Sequence, residues 1–149
     1  MDQKYEILQR MMLAFNKIDG VYYLFSRQLG VNENELAFLY ALNDGKAHSQ
    51  REISDNWLIP RTTINTIVKH MVEAGYVVLE AEEHTKEKTI LLTEKGRAYA
   101  DRLLGKLYHA EEAAITRTLE RFSPEFVEAM EAFGEALYME LGGARRKKR

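Results

Sequence analysis

Leu8, Met11, Phe15, Ile18, Tyr22, Phe25 and Leu29 recur at alternating steps of three and four, a spacing that lines up side chains as one narrow stripe on an α-helix. The pattern predicts a first helix of about 25 residues, and Gly30 ends it. Asn32 followed three positions later by Glu35 has the form of a capping box, opening a second helix through Leu36, Leu39, Tyr40 and Leu42 as far as Asp44-Gly45. A second box, Ser49-Gln50-Arg51-Glu52, sets a hydroxyl and a carboxylate where each can satisfy the other's backbone donor, and Ile53 begins the next apolar face. From Arg61 to Glu73, Ile64, Ile67, Val68 and Met71 share one side of the helical wheel, while Thr62, Asn65, Thr66 and Lys69 fall on the other. Gly75 stops that helix. Residues 76–80 and Lys88–Leu92 then read as two short strands joined by a polar loop over 82–87.

Thr93 is a good N-cap for a long helix through Leu103, Leu104, Leu107, Ala114, Ile115 and Leu119, and Ser123-Pro124 restarts the chain as cap plus first helical residue. Phe126, Met130, Phe133, Leu137 and Leu141 repeat the three/four spacing before Gly142-Gly143 releases a basic tail. The fold class is therefore mainly α with a small β-hairpin wing: a winged helix-turn-helix flanked by long N- and C-terminal helices. The expected organisation is a single domain over 1–149, with dimerisation helices at 1–30 and 101–141, the winged helix at 32–100 and the tail at 142–149. The central module is too small to cover both terminal seams. Leu8, Met11, Phe15, Ile18, Phe126, Met130, Phe133 and Leu137 are accordingly candidates for burial across a two-fold axis, the alternative being that the terminal helices pack on each other within one chain.

Composition narrows the function. The 149 residues are 46% apolar and 30% charged, the balance of a soluble folded chain. No cysteine is present, which removes disulfides, thiolate ligands and cysteine nucleophiles. No apolar run approaches the roughly 20 residues that span a bilayer, and the first residues lack a signal-peptide core, so the expected location is the cytoplasm. The net charge of −2 exerts no global pull on nucleic acid. Locally, however, Lys46, Arg51, Arg61 and Lys69 outnumber Glu52 and Asp55 between positions 46 and 72. No nucleophile with its base, no carboxylate pair in an apolar setting and no glycine-rich phosphate loop stands out, so an enzyme is not expected.

The stretch Ser49-Gln-Arg-Glu-Ile-Ser-Asp-Asn-Trp-Leu-Ile-Pro-Arg-Thr-Thr-Ile-Asn-Thr-Ile-Val-Lys-His-Met-Val-Glu-Ala-Gly75-Tyr-Val resembles, without a gap, the corresponding stretch of MarR-type bacterial transcription regulators. Leu91-Leu92-Thr93-Glu94-Lys95-Gly96 is similar to the same family's entry into its fifth helix. The resemblance implies a homodimer, built from the first helix and the last two, that holds two winged helices over a pseudo-palindromic DNA operator. Half-sites would lie about 34–36 Å apart, one turn of the duplex.

The family's reading helix maps onto Arg61 through Glu73. Arg61, at the helix start, is placed for a guanine edge or a phosphate. Thr62, Asn65 and Thr66, with Thr63 beside them, are short polar groups suited to base edges or a thymine methyl, and Lys69 suits the sugar-phosphate backbone. Gln50 and Arg51 are candidates for flanking phosphates. The chain departs from the family pattern at the helix-to-helix turn, where Leu58 stands for a small residue and Pro60 for a serine-like cap. In the wing, His84 and Lys86 occupy places where the family often has an acidic residue followed by arginine, among Glu82, Glu83 and Glu87. Lys86 and Lys88 are thus expected to supply nonspecific backbone contacts.

Members of the family often respond to small aromatic or anionic molecules, and Tyr22, Tyr23, Phe25, Arg27, Tyr40 and Trp57 are the residues that would border such a cleft; core aromatics are the plainer reading. His48, His70, His84 and His109 are scattered, with His109 and Glu112 the one helical pair of ligand spacing, and neither metal nor cofactor is expected. The expected function is a DNA-binding regulator that represses by occupying its operator. The alternatives are a winged-helix adaptor that binds protein, or a ligand-binding protein without a DNA role.

Overall fold

The computed structural model describes residues 2–81 and 86–143, and the chain runs α1 (Gln3–Leu29), α2 (Glu33–Leu42), β1 (His48–Ser49), α3 (Gln50–Trp57), α4 (Arg61–Glu73), β2 (Val77–Ala81), β3 (Lys88–Leu92), α5 (Glu94–Leu119) and α6 (Glu125–Glu140). It divides into two compact units, 1–105 and 106–149, with α5 passing from the first into the second. The polar tip at 82–85, with Glu82, Glu83 and His84, lies outside the described residues, as does the basic tail from 144.

Local chemistry sets the helix ends. The Asp2 carboxylate accepts from the Lys4 N–H at 3.2 Å to open α1, and Gly30 closes it at φ 69°. Asn32 caps α2 by accepting from the Asn34 N–H at 2.9 Å, so the bond goes to Asn34 and not to the Glu35 that a capping box requires. Ser49 keeps one half of its box, accepting from the Glu52 N–H at 3.0 Å, while the Glu52 carboxylate is drawn to His48.

The sheet has three antiparallel strands in the order β1-β3-β2, with one more strand than the expected hairpin. β2 and β3 pair from Val77↔Leu92 to Ala81↔Lys88, and β1 adds His48↔Ile90 and Ser49↔Thr89 on the far edge of β3. A strand of two residues carries no alternation, so its pattern is invisible in the sequence. The core of the first unit gathers Phe38, Leu39 and Leu42 of α2, Ile53 of α3, Ile64 of α4, Val77 of β2, Ile90 of β3, and Ala100 and Leu104 of α5. Each large side chain sealed there is worth about 1.5–3 kcal/mol, which holds the winged helix as one body.

Between α3 and α4 the chain turns through Leu58, whose backbone is left-handed at φ 51° although its side chain is 82% exposed. A non-glycine residue in that region costs roughly 1–2 kcal/mol. Two contacts hold the turn against that cost: Ile59 is buried, and its carbonyl accepts the Ser54 hydroxyl at 2.7 Å.

The start of α5 is lashed to the α4–β2 junction. Thr93 Oγ1 donates to the Gly75 carbonyl at 2.7 Å and accepts from the Gly96 N–H at 3.0 Å, while Lys95 Nζ donates to the Ala74 carbonyl at 2.8 Å. Tyr76 and Tyr99 stack face to face at 4.3 Å, with Lys95 over the outer face of Tyr76 and Arg102 over Tyr99. On the terminal helices, Leu8 and Ile18 of α1 are 41% and 51% exposed and Met130 and Leu137 of α6 are 40% and 46% exposed, while Met11, Phe15, Phe126 and Phe133 are half-buried. Among the described residues no helix is long and apolar enough to cross a membrane.

A Cβ on Gly96 would overlap the Tyr76 carbonyl oxygen, which is rigid backbone. Gly96→Ala is expected to destabilise the fold by about 3 kcal/mol, read as a lowered urea midpoint at unchanged slope; an unaltered midpoint would mean that the α5 entry relaxes freely.

Candidate nucleic-acid interface

α4 presents two faces as its spacing requires. Ile64, Val68 and Met71 are buried, Thr63 and Ile67 are half-buried, and Arg61, Thr62, Asn65, Thr66 and Lys69 are exposed. Thr66 donates its hydroxyl to the Thr62 carbonyl at 3.1 Å, which leaves its oxygen as an acceptor and its methyl for apolar contact. Pro60 precedes the helix without a side-chain cap, and no acidic residue stands in the first turn. The leading N–H groups and the positive end of the helix dipole therefore meet no counter-group of their own helix, a setting that favours an anion.

Three elements converge in front of that helix end. Gln50 and Arg51 from α3, Arg61, Ile64 and Asn65 from α4, and Lys86, Glu87 and Lys88 at the loop end of the β2–β3 hairpin line one cleft of about 340 Å³. Four of these side chains are cationic and one is a carboxylate, so a chain of net charge −2 concentrates positive charge at this place. Arg51 approaches Glu87 at 3.9 Å and Asp55 at 4.0 Å, with all three side chains at least half exposed. Ion pairs so solvated contribute roughly 0–1 kcal/mol and yield readily to a phosphate.

Six of the residues expected to meet DNA thus share one cleft. Thr63 and Thr66 border a second hollow, with Asn32, Asn34 and Glu35 at the start of α2 and with Ile67, His70 and Met71. Thr62 and Lys69 stand exposed on α4. The residues expected around a ligand form separate contacts: Tyr40 and Trp57 meet edge to face at 5.7 Å, and Arg27 lies 5.9 Å from the Tyr23 ring centre. Tyr22 and Phe25 are half-buried on α1. Among the described residues no group of three or more His, Cys, Asp or Glu is arranged to hold a metal ion.

Sequence reasoning passed over His48. Its Nε2 faces both Asp44 carboxylate oxygens at 2.9 Å and its Nδ1 faces Glu52 Oε1 at 3.2 Å, so one imidazole bridges the turn after α2 to the first turn of α3. Partial burial pushes the imidazole pKa down, but hydrogen bonds to Asp44 and Glu52, and then their charges, outweigh it and hold the pKa above 6.5. Asp44 responds in the opposite sense: slight burial pushes its carboxyl up, and the His48 hydrogen bond, the Lys46 N–H and the charges of both residues bring it below 3.8. The Asp44-x-x-x-His48-x-x-x-Glu52 spacing was the available signal. It crosses a turn and a strand, where helical spacing rules carry no meaning.

These shifts fix a pH window for stability. A raised imidazole stabilises fully below the unfolded value of 6.5 and loses its contribution as pH climbs through the higher folded value. A lowered carboxyl stabilises fully above 3.8 and loses its contribution as pH falls through the lower folded value. The difference in melting temperature between the protein and His48→Gln is expected to be largest between these limits and to shrink as pH passes above 6.5; a difference independent of pH would show that the clamp does not depend on charge.

Comparison with known proteins agrees with this architecture. Residues 29–86 match the model of the MarR family. No curated protein matches the chain in sequence. The MarR family regulator NMB1585 from Neisseria meningitidis superposes with a TM-score of 0.70 at 21% identity, covering 100% of both chains. NadR in complex with 4-hydroxyphenylacetate superposes at 0.66 and 15% identity, covering 88% of this chain and 91% of its own. A putative MarR family transcriptional regulator from Listeria monocytogenes, complexed with a 26mer DNA, gives 0.64 at 18% identity, covering 91% of this chain and 94% of its own. Over residues 29–86 the sequence thus matches the MarR family model, and the fold is shared with solved members of that family.

Proposed function

We propose that the protein is a sequence-specific transcriptional regulator that binds a pseudo-palindromic DNA operator as a homodimer and represses by occupying it, in the cytoplasm of a bacterium. The observation that carries this reading is the cleft in which Gln50 and Arg51, Arg61 and Asn65, and Lys86 and Lys88 come together from three elements. Cations around a helix end without acidic residues suit a phosphate backbone, and the adjoining face of Thr62, Asn65 and Thr66 suits base edges. Lys69, one turn beyond Asn65, serves the backbone. The DNA carried by the Listeria relative supports the same use of the fold.

The dimer supplies symmetry. Leu8 and Ile18 in one unit, and Met130 and Leu137 in the other, leave apolar surface that a second copy would cover, with Met11, Phe15, Phe126 and Phe133 beside them. Two reading helices held about 34–36 Å apart then meet successive turns of one duplex. A small aromatic or anionic effector that alters this separation would release the operator. The 4-hydroxyphenylacetate bound by NadR is of that chemistry, and Tyr22, Tyr23, Arg27, Tyr40 and Trp57 offer aromatic and cationic groups to receive such a molecule.

Selection from a random duplex pool is expected to enrich an inverted repeat; recovery of no preferred sequence would remove the DNA reading. Against the enriched site, Arg61→Ala should cost about 1–3 kcal/mol and relax preference at one position per half-site, whereas a uniform loss across sequences would make Arg61 a phosphate contact.

Sedimentation should give a two-chain particle. Leu8→Glu places a charge on the seam and is expected to shift it toward single chains and weaken operator binding about tenfold, and a wild-type protein that sediments as one chain at micromolar concentration would overturn the symmetric arrangement.

A further inference from the structure

His48 is not among the residues that line the cleft, and its chemistry makes its clamp conditional. A neutral imidazole carries one N–H, so it can donate to one carboxylate only; the other ring nitrogen then turns a lone pair toward a negative oxygen. His48 has a carboxylate at each nitrogen, Asp44 at 2.9 Å and Glu52 at 3.2 Å, and only the imidazolium satisfies both. When the proton leaves, the shorter contact to Asp44 is the one to persist, and Glu52 loses its partner.

What Glu52 anchors is the first turn of α3. That turn carries Gln50 and Arg51, which line the cleft. The backbone of His48 is itself fixed, because His48 pairs with Ile90 in the central strand whose first residue, Lys88, lines the same cleft. The imidazole therefore ties a helix turn to the strand that carries the wing. We propose that His48 is a positioning residue for the DNA-binding cleft: in its charged form it locks Gln50 and Arg51 against the wing strand, so that affinity for DNA rises as the imidazole gains its proton. The inference rests on the DNA-binding reading.

Among the described residues, the charged groups around the ring are these. Asp44 and Glu52 are the charges that act on the ring. Lys46 acts on Asp44, its N–H donating to that carboxylate at 2.9 Å, and the Arg97 guanidinium of α5 lies beside Gly45. The residues of β3 opposite β1 are Ile90 and Thr89, neither of which titrates. Asp55 and Arg51 of α3 face each other. The raised imidazole pKa brings the transition toward neutral pH, where His is the side chain that changes charge.

The test uses the full chain and an inverted repeat selected from random DNA, with affinity measured at constant ionic strength from about pH 5.5 to about pH 8.5. The wild-type affinity is expected to fall about three- to tenfold across the imidazole transition, as loss of a charge-assisted hydrogen bond would give. His48→Gln removes that step, and the comparison subtracts any titration of His70 or the other imidazoles. Glu52→Gln keeps the imidazole but weakens the clamp, so its step should shrink and its midpoint move down; a step identical to wild type would show that charge alone acts and would overturn positioning. A step unchanged in His48→Gln would overturn the inference while leaving DNA binding intact. Amide exchange of Gln50 to Glu52 in the free protein, compared between wild type and His48→Gln at each pH, reads the clamp without DNA. Protection lost with rising pH in wild type only supports the lock, and equal protection overturns it. Absence of binding at every pH would remove the DNA reading itself, an outcome distinct from both.

Discussion

Strand β3 is paired on both edges, and the placement of Arg51 relative to Lys88 in the cleft depends on that fact. On one side it takes β2 and so builds the wing; on the other it takes the two residues of β1. Ser49, the second of those two, is also the residue whose hydroxyl caps α3. Sheet pairing and a helix cap thus meet in one residue, and the start of α3 is fixed relative to Lys88 at the start of β3. Ile90 at the centre of the strand is sealed from solvent together with Ile53 and Ile64 of the two helices of the helix-turn-helix. Hydrophobic burial supplies the energy here, and strand pairing supplies the register, because slipping β3 by one residue would turn Ile90 outward.

The elements legible in the sequence were those long enough to show a period. α1, α4, α5 and α6 declared themselves through three/four spacing, and Gly30 and Gly75 marked ends that the backbone does reach with positive φ. Features made by contact between distant or short pieces were not legible. β1 is too brief to alternate, and the His48 clamp depends on a turn that sets Asp44 beside a histidine four residues on without a helix between them. The cap of α2 illustrates a different limit: the Asn32/Glu35 pattern located the helix start correctly but not the bond, because an asparagine side chain reaches the second N–H as well as the third. At the interface, α4's polar face could be read from a helical wheel. Its convergence with Gln50, Arg51, Lys86 and Lys88 could not, since only the sheet brings those segments together.

Charge is distributed with the same economy. Net charge is slightly negative, and the cleft nevertheless gathers Arg51, Arg61, Lys86 and Lys88 around one carboxylate. At physiological salt the screening length is about 8 Å, so a ligand at the cleft responds to those groups and little to the acidic residues of remote helices. Glu87 does not cancel the site, for its contact with Arg51 is long and solvated. Such a pair restrains a guanidinium at small cost and gives it up to a stronger acceptor, since Arg binds a phosphate through two parallel hydrogen bonds.

The helix-turn-helix gives up stability in two neighbouring places, and both lie at the head of α4. Leu58 sits in a left-handed conformation that glycine would adopt without strain, and α4 begins on Pro60 without the side-chain cap that serine or aspartate would provide. A serine cap would occupy one of the leading N–H groups, and an aspartate would also place a negative charge where the proposed function calls for phosphate. Proline fixes the backbone for helix entry while consuming none of those donors. The burial of Ile59 and the Ser54 hydroxyl on its carbonyl hold the turn in spite of Leu58. An uncapped helix start is a defect in a helix that only has to fold, and an asset in one whose end has to receive an anion.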